Sequence, residues 1–182
     1  EYPSFRFDPR QLRHFHEVEV WGALAAMLAC DVPVVAAIRG ACMGAGLEIA
    51  SCCDIRLAAD TATFGAPIAR LGFPMADKEA RLVARAVGDL TAREMLLSAA
   101  TFDADEMKQR GFLSRVVAPA DLAARAGEAA ARIAALAPQA ARMNKRQLRG
   151  DAAGYDWADS AEHREGIHAF LAKRKPAFRT MS

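Results

Sequence analysis

Pro33-Val34-Val35-Ala36-Ala37-Ile38-Arg39-Gly40-Ala41-Cys42-Met43-Gly44-Ala45-Gly46-Leu47-Glu48-Ile49-Ala50 is the stretch from which the rest of the chain can be read. Val34 to Ile38 is an apolar, partly β-branched run with the length of a buried strand. Gly40, Gly44 and Gly46 follow, and a helical pattern then opens with a single carboxylate, Glu48. A strand feeding a glycine turn and a helix start leaves backbone N–H groups free to meet partial negative charge on a ligand. An acid beside those donors points to proton transfer. The glycines fit no phosphate loop, because no Gly-Lys-Ser/Thr follows, and no dinucleotide fingerprint, because Ile49 stands where the third glycine belongs. By spacing alone, a tight turn that merely needs glycines is the favoured explanation. Glu48 moves the balance, since a carboxylate between Leu47 and Ile49 is costly to desolvate without a task or a partner.

Working outward, the chain has 182 residues, 53% hydrophobic and 25% charged, which suits one globular domain or a domain with an appendage. A net charge of +2 makes no case for a nucleic-acid partner. No apolar run approaches the roughly 20 residues of a membrane span. Cys30, Cys42, Cys52 and Cys53 lack metal-ligand spacing and any secretory context, so a reducing, cytoplasmic location is expected and no metal is expected. Cys42 has no histidine near it in sequence and reads as core packing. The chain opens Glu1-Tyr2-Pro3 without a methionine, and its true start is expected to lie upstream.

Gln11 to Ala29 carries an apolar stripe of Leu12, Phe15, Val18, Leu24 and Leu28 and predicts a helix. His14 and His16, two apart on it, point in different directions and read as surface residues. Gly40 to Cys52 should hold the turn and a second helix, Asp54 to Ala59 a second strand, and Phe64 to Ala76 a loop with one helical turn. Lys78 to Val87 predicts a helix ending at Gly88 in αL geometry, and Thr91 with Glu94 predicts a capping box for the next. Asp103 to Glu106 should start a short helix closed by Gly111, and Val116-Val117 a brief strand. Helices are expected over Asp121–Leu136, Pro138–Arg149 and Asp156–Lys173. The basic tail of Lys173, Arg174, Lys175 and Arg179 reads first as a solvated helix end and second as a phosphate patch. Three short strands against seven or eight helices make an incomplete sheet, so part of the chain is expected to be absent.

The Pro33–Ala50 run resembles the signature of the enoyl-CoA hydratase/isomerase (crotonase) superfamily. So do Cys53-Asp-Ile-Arg56, Ala62-Thr-Phe-Gly-Ala-Pro67, Leu71-Gly72, Arg85-Ala-Val-Gly88, the segment Ala104 to Val117, and the tail from Glu165 to Phe178. The resemblance implies an α/β, crotonase-like ββα superhelix with its N-terminal part missing. Residues 1–118 would be the C-terminal portion of the core, and 119–182 a helical trimerisation region in a homotrimer or hexamer. It implies an acyl-CoA thioester substrate and no separate cofactor, coenzyme A being part of the substrate, with no membrane partner. RNA binding, which some relatives show, gains no support from the near-neutral charge, so no nucleic-acid partner is expected. The Ala45 N–H, between Gly44 and Gly46, would be one oxyanion donor, and Glu48 the catalytic acid/base. Lys173, Lys175 and Phe178 would contact the coenzyme. One departure stands out: the hydratases carry a second glutamate after Phe-Gly-x-Pro, and this chain has Ile68 there. Asp77 is the expected backup acid, with Glu79 close behind it, in a segment reading Pro74-Met-Ala-Asp-Lys-Glu79. Hydration of 2-enoyl-CoA is the expected activity. Isomerisation or another enolate reaction such as decarboxylation is the alternative, and a non-catalytic acyl-CoA binder is the third.

Overall fold

A computed structural model describes residues 6–152 and 154–178; Arg179, the last member of the basic tail, lies outside them. Two compact units are present. One takes the residues up to Cys30 together with Val35–Ala126, and the other Asp31–Val34 with the residues from Gly127 on.

The first unit is built from a repeated move: a short strand, a tight turn, a short strand in a second sheet, then helix. The predicted strand is β1, Val35–Ile38, and it pairs in parallel with β3, Ile55–Ala59. β6, Arg115–Val117, adds in parallel on the other side of β3, giving the order β1-β3-β6. The second sheet was not expected. Ala41–Met43 forms β2, Thr63–Gly65 forms β4 and Thr101–Asp103 forms β5, ordered β2-β4-β5. β2 and β4 are parallel, β4 and β5 antiparallel. The described residues therefore hold six strands rather than three. The three additions are three residues long each, too short for period-two alternation to register.

Gly65 in β4 shows why the second sheet closes as it does. A Cβ there would lie 3.0 Å from Thr101 Cγ2, 3.1 Å from the Ala100 carbonyl oxygen and 3.3 Å from Met43 Sδ. Only glycine lets the three strands approach this closely. The core beneath contains Leu47, Phe64, Val83, Met95, Met107 and Phe112, with the Phe64 and Phe112 rings edge to face at 5.8 Å. Burying side chains of this size contributes about 2–3 kcal/mol each.

Helix α1, Pro9–His14, is capped by Asp8, whose carboxylate accepts from the Arg10 and Gln11 N–H groups. The expected single helix to Ala29 is interrupted by a π-helical turn over Phe15–Val20 before α2, Trp21–Ala29. α3 is Ala45–Ser51, α4 Asp77–Val87 and α5 Asp89–Leu97. Gly88 has φ 87° and ψ 150°, so it is not the αL residue expected; it ends α4 and serves as N-cap of α5. That early start puts Thr91 inside α5, buried, so Thr91 and Glu94 form no capping box. The genuine one opens α6, Ala104–Gln109, where Asp103 and Glu106 bond reciprocally to each other's backbone N–H.

The second unit is helical, with most of α7, Leu122–Ala134, then α8, Pro138–Arg149, and α9, Ala161–Leu171. A 3₁₀ turn at Asp156–Asp159 precedes α9, where one continuous helix was expected. The buried Glu162 carboxylate caps α8 by accepting from the Gln139 and Ala140 N–H groups.

Candidate active site

Glu48 sits in the first turn of α3, reached through a turn that β2 and β4 hold in place. The Gly44 N–H donates to the Gly65 carbonyl at 3.0 Å, and the Gly44 carbonyl accepts the first helical bond from Glu48 N–H. Gly44 has φ 50° and ψ −115°, a conformation side-chain-bearing residues avoid, and it turns the chain sharply from strand to helix. Ala45, the first helical residue, is exposed, and Gly46 is half-buried. The N–H groups that open a helix have no partner within it, so Ala45 presents a donor at the surface of this turn.

The Glu48 side chain is 6% exposed. Burial first, and then the nearby Glu79 carboxylate, push its pKa up from 4.5 to about 7, against a smaller opposing effect of His16. A carboxyl balanced between its two forms near neutrality suits proton exchange with a substrate.

The neighbours named in that balance were the surprise. α3 packs against α4, and Glu79 lies in the first turn of α4 just as Glu48 lies in the first turn of α3. Glu79 is 3% exposed, and its Oε1 is 3.0 Å from His16 Nδ1. His14 is exposed as expected, near Glu19, but His16 is half-buried against Glu79 and is not a surface residue. The π-helical turn carries His16, and such turns alter which residues a helix face presents. Sequence reasoning considered only its own helix and missed a partner 63 positions away. A signal for Glu79 was available. It falls at helical spacing from Leu82, Val83 and Val87, all buried, which puts a carboxylate on the core face of α4.

Asp77, two residues before Glu79, lines one cavity with it from the exposed side. Its side chain is 80% exposed and pairs with Arg81 one turn on. Ile68 stands half-buried on a 3₁₀ turn, Pro67–Leu71, directly after β4. Cys42 is buried, with its thiol pushed up to about 11 by burial and by Cys53, in keeping with a packing role. That cavity, of about 970 Å³, adjoins the site, lined by Leu12, His16, Leu71, Phe73, Pro74 and Glu79 among others. Its exposed surface is mostly apolar, and Arg6, Arg13, Glu17, Asp77 and Lys78 line it as well as His16 and Glu79. Glu48 is not part of that wall.

The remaining predicted residues belong to the second unit. Lys173 and Lys175 are exposed, and the Phe178 ring packs toward Gly166 on α9. Between the two lysines, Arg174 makes a forked pair with Glu165 at 2.6 and 2.8 Å, and Glu165 also accepts the Ala177 N–H. Arg174 and that N–H hold the Glu165 carboxyl down at about 2. The fork fixes the tail that carries both lysines. Among the described residues no cluster of histidine, cysteine or acidic side chains could hold a metal ion, and no helix is long and apolar enough to cross a membrane.

Residues 11–181 match the family model for enoyl-CoA hydratase/isomerase. A probable enoyl-CoA hydratase of Mycobacterium tuberculosis is 34% identical over 171 residues, covering 87% of this chain and 65% of the relative. A crotonyl-CoA hydratase of Syntrophomonas wolfei is 33% identical over 181 residues, covering 89% and 69%. The crystal structure of an enoyl-CoA hydratase/carnithine racemase from Magnetospirillum magneticum superposes with a TM-score of 0.89 at 36% identity, over 98% of this chain and 70% of that one. The chain thus spans about two-thirds of the length of the relatives it matches.

Proposed function

The chain belongs to the enoyl-CoA hydratase/isomerase family and carries its crotonase fold, and on that premise we propose that it adds water to 2-enoyl-CoA thioesters with Glu48 as acid/base. The observation that carries this is Glu48 itself: a buried carboxyl near pKa 7 at the start of α3, one turn from the exposed Ala45 N–H. The thioester carbonyl oxygen sits on the Ala45 N–H, with Gly44 and Gly46 leaving room for its approach. Glu48 accepts a proton from water as the water oxygen bonds to Cβ. The electron pair of the double bond moves onto the thioester oxygen, and the enolate so formed takes up a proton at Cα. A donor aimed at that developing charge contributes about 3 kcal/mol of transition-state stabilisation. The apolar cavity wall beside Glu79 suits the acyl chain. Lys173, Lys175 and Phe178 contribute to holding coenzyme A phosphate or adenine, in a homotrimer or a pair of trimers.

Ile68 favours a second reading. With no carboxylate at that position, one base at Glu48 could shuttle a proton between Cα and Cγ and move a double bond without adding water. A panel of 2-enoyl-CoA and 3-enoyl-CoA substrates separates the two. Hydration removes the conjugated thioester absorbance of the former, whereas isomerisation creates it from the latter. No loss from any 2-enoyl-CoA would exclude hydration.

A further inference from the structure

We propose that Glu79, oriented by His16, is the second proton carrier of this site and delivers the proton to Cα that Ile68 cannot. The inference rests on the acyl-CoA reading of the site and adds a residue and a role to it.

Three observations converge. Glu79 is almost wholly buried yet lines the wall of the 970 Å³ cavity, a volume at the start of α4 large enough for an acyl chain. Its carboxylate is fixed by a ring nitrogen at 3.0 Å, from a histidine that also lines that wall. Glu48 and Glu79 occupy the first turns of two packed helices, and the charge of one raises the pKa of the other. A static role fits less well. A buried acid–base pair adds little net stability over apolar residues of the same volume, whereas the rest of this helix face is Leu82, Val83 and Val87. Asp77, the acid expected from sequence, also lines the cavity, but its side chain is 80% exposed and paired with Arg81, whereas Glu79 is buried.

The proton count closes. The His16–Glu79 pair enters with one proton, held on either partner. Water gives a proton to Glu48 and its oxygen to Cβ. The double-bond electrons pass through the thioester oxygen and return to form the Cα–H bond, with the proton leaving the Glu79 carboxyl. Glu48 then holds one extra proton and the pair lacks one. Transfer from the first to the second, directly or through water, restores the starting state. In the reverse sense Glu79 abstracts Cα–H, and that half-reaction needs no water addition.

The test uses that half-reaction. Purified protein is given a saturated acyl-CoA in heavy water, and deuterium incorporation at Cα is followed by mass spectrometry, alongside binding of the same compound and hydration of 2-enoyl-CoA. Glu79→Gln should bind within about twofold of wild type while its Cα exchange and hydration fall at least tenfold, and on the order of 100-fold. Exchange reduced less than tenfold would overturn the proposal. If Glu79→Gln does not fold, His16→Asn decides instead: it keeps the carboxylate, and its exchange should fall at least tenfold, with any smaller loss overturning the role. The two readings fail separately. Glu79-dependent exchange without hydration of any enoyl-CoA supports this role and excludes hydration. Hydration that needs Glu48 but is indifferent to Glu79 excludes this role alone.

Discussion

Replacing Glu48 by Gln should make the protein's stability less sensitive to pH, in a direction opposite to the common carboxylate. Most paired carboxylates have depressed pKa values and stabilise a fold above them. The Glu48 carboxyl is instead raised, from 4.5 to about 7, first by burial and then by Glu79. The folded protein therefore binds this proton more tightly than the unfolded chain does. Its contribution is fully present below about pH 4.5 and is lost as pH rises through about 7. Linkage between those two values gives a loss of about 2.5 kcal/mol between about pH 5 and about pH 8. Glu48→Gln cannot ionise, so its stability relative to wild type should rise by about that amount over the same interval. Urea unfolding of both proteins at the two pH values measures it, as a relative midpoint shift on the order of 1 M for a typical urea dependence. A relative change below about 0.5 kcal/mol would show that Glu48 titrates like an exposed acid, and the argument from its burial would fail.

Three further consequences can be checked together. On the proposed mechanism Glu48 must be ionised, so kcat/KM should fall about tenfold per pH unit below about pH 7; a flat profile from pH 5 to 8 would exclude Glu48 as the base. Gly65→Ala should cost about 1–3 kcal/mol in thermal or urea unfolding, because its Cβ meets the Ala100 carbonyl, which as backbone cannot swing aside. Arg56 donates to the Phe112 and Cys53 carbonyls, both at 2.6 Å, and its guanidinium lies 4.6 Å from the Phe112 ring centroid. Arg56→Met should destabilise by about 2–4 kcal/mol, and Arg56→Lys should recover only part, since one ammonium cannot span both carbonyls in the plane of the fork.

What could be read from sequence follows the range over which each interaction acts. β1, the glycine turn and α3 were legible because a β-branched run, three glycines and a helical pattern are local signals. Asp103 to Glu106 was legible as a helix start for the same reason, and the mutual bonds of Asp103 and Glu106 close within three residues. β2, β4 and β5 were not, because three residues carry almost no periodicity and become strands only through partners 20 to 40 positions away. Thr91 and Glu94 had the letters of a capping box, but Gly88 had already opened the helix, so the same letters fell inside it. The site shows the same division. Ala45 and Glu48 share one turn, so their adjacency was legible. Glu79 was noticed behind Asp77, yet the choice between them depends on which face of α4 meets α3, and His16 reaches Glu79 only through the π-helical turn.

The central claim is that this protein adds water across an enoyl thioester with Glu48 as its acid/base. The direct test is incubation with 2-enoyl-CoA in water enriched in heavy oxygen, followed by mass analysis of the acyl-CoA products. Wild type should convert the substrate to a 3-hydroxyacyl-CoA carrying one heavy oxygen, and Glu48→Gln should slow that conversion at least 100-fold. Absence of heavy oxygen from every acyl-CoA product of the wild-type protein, or equal incorporation by Glu48→Gln, would contradict it.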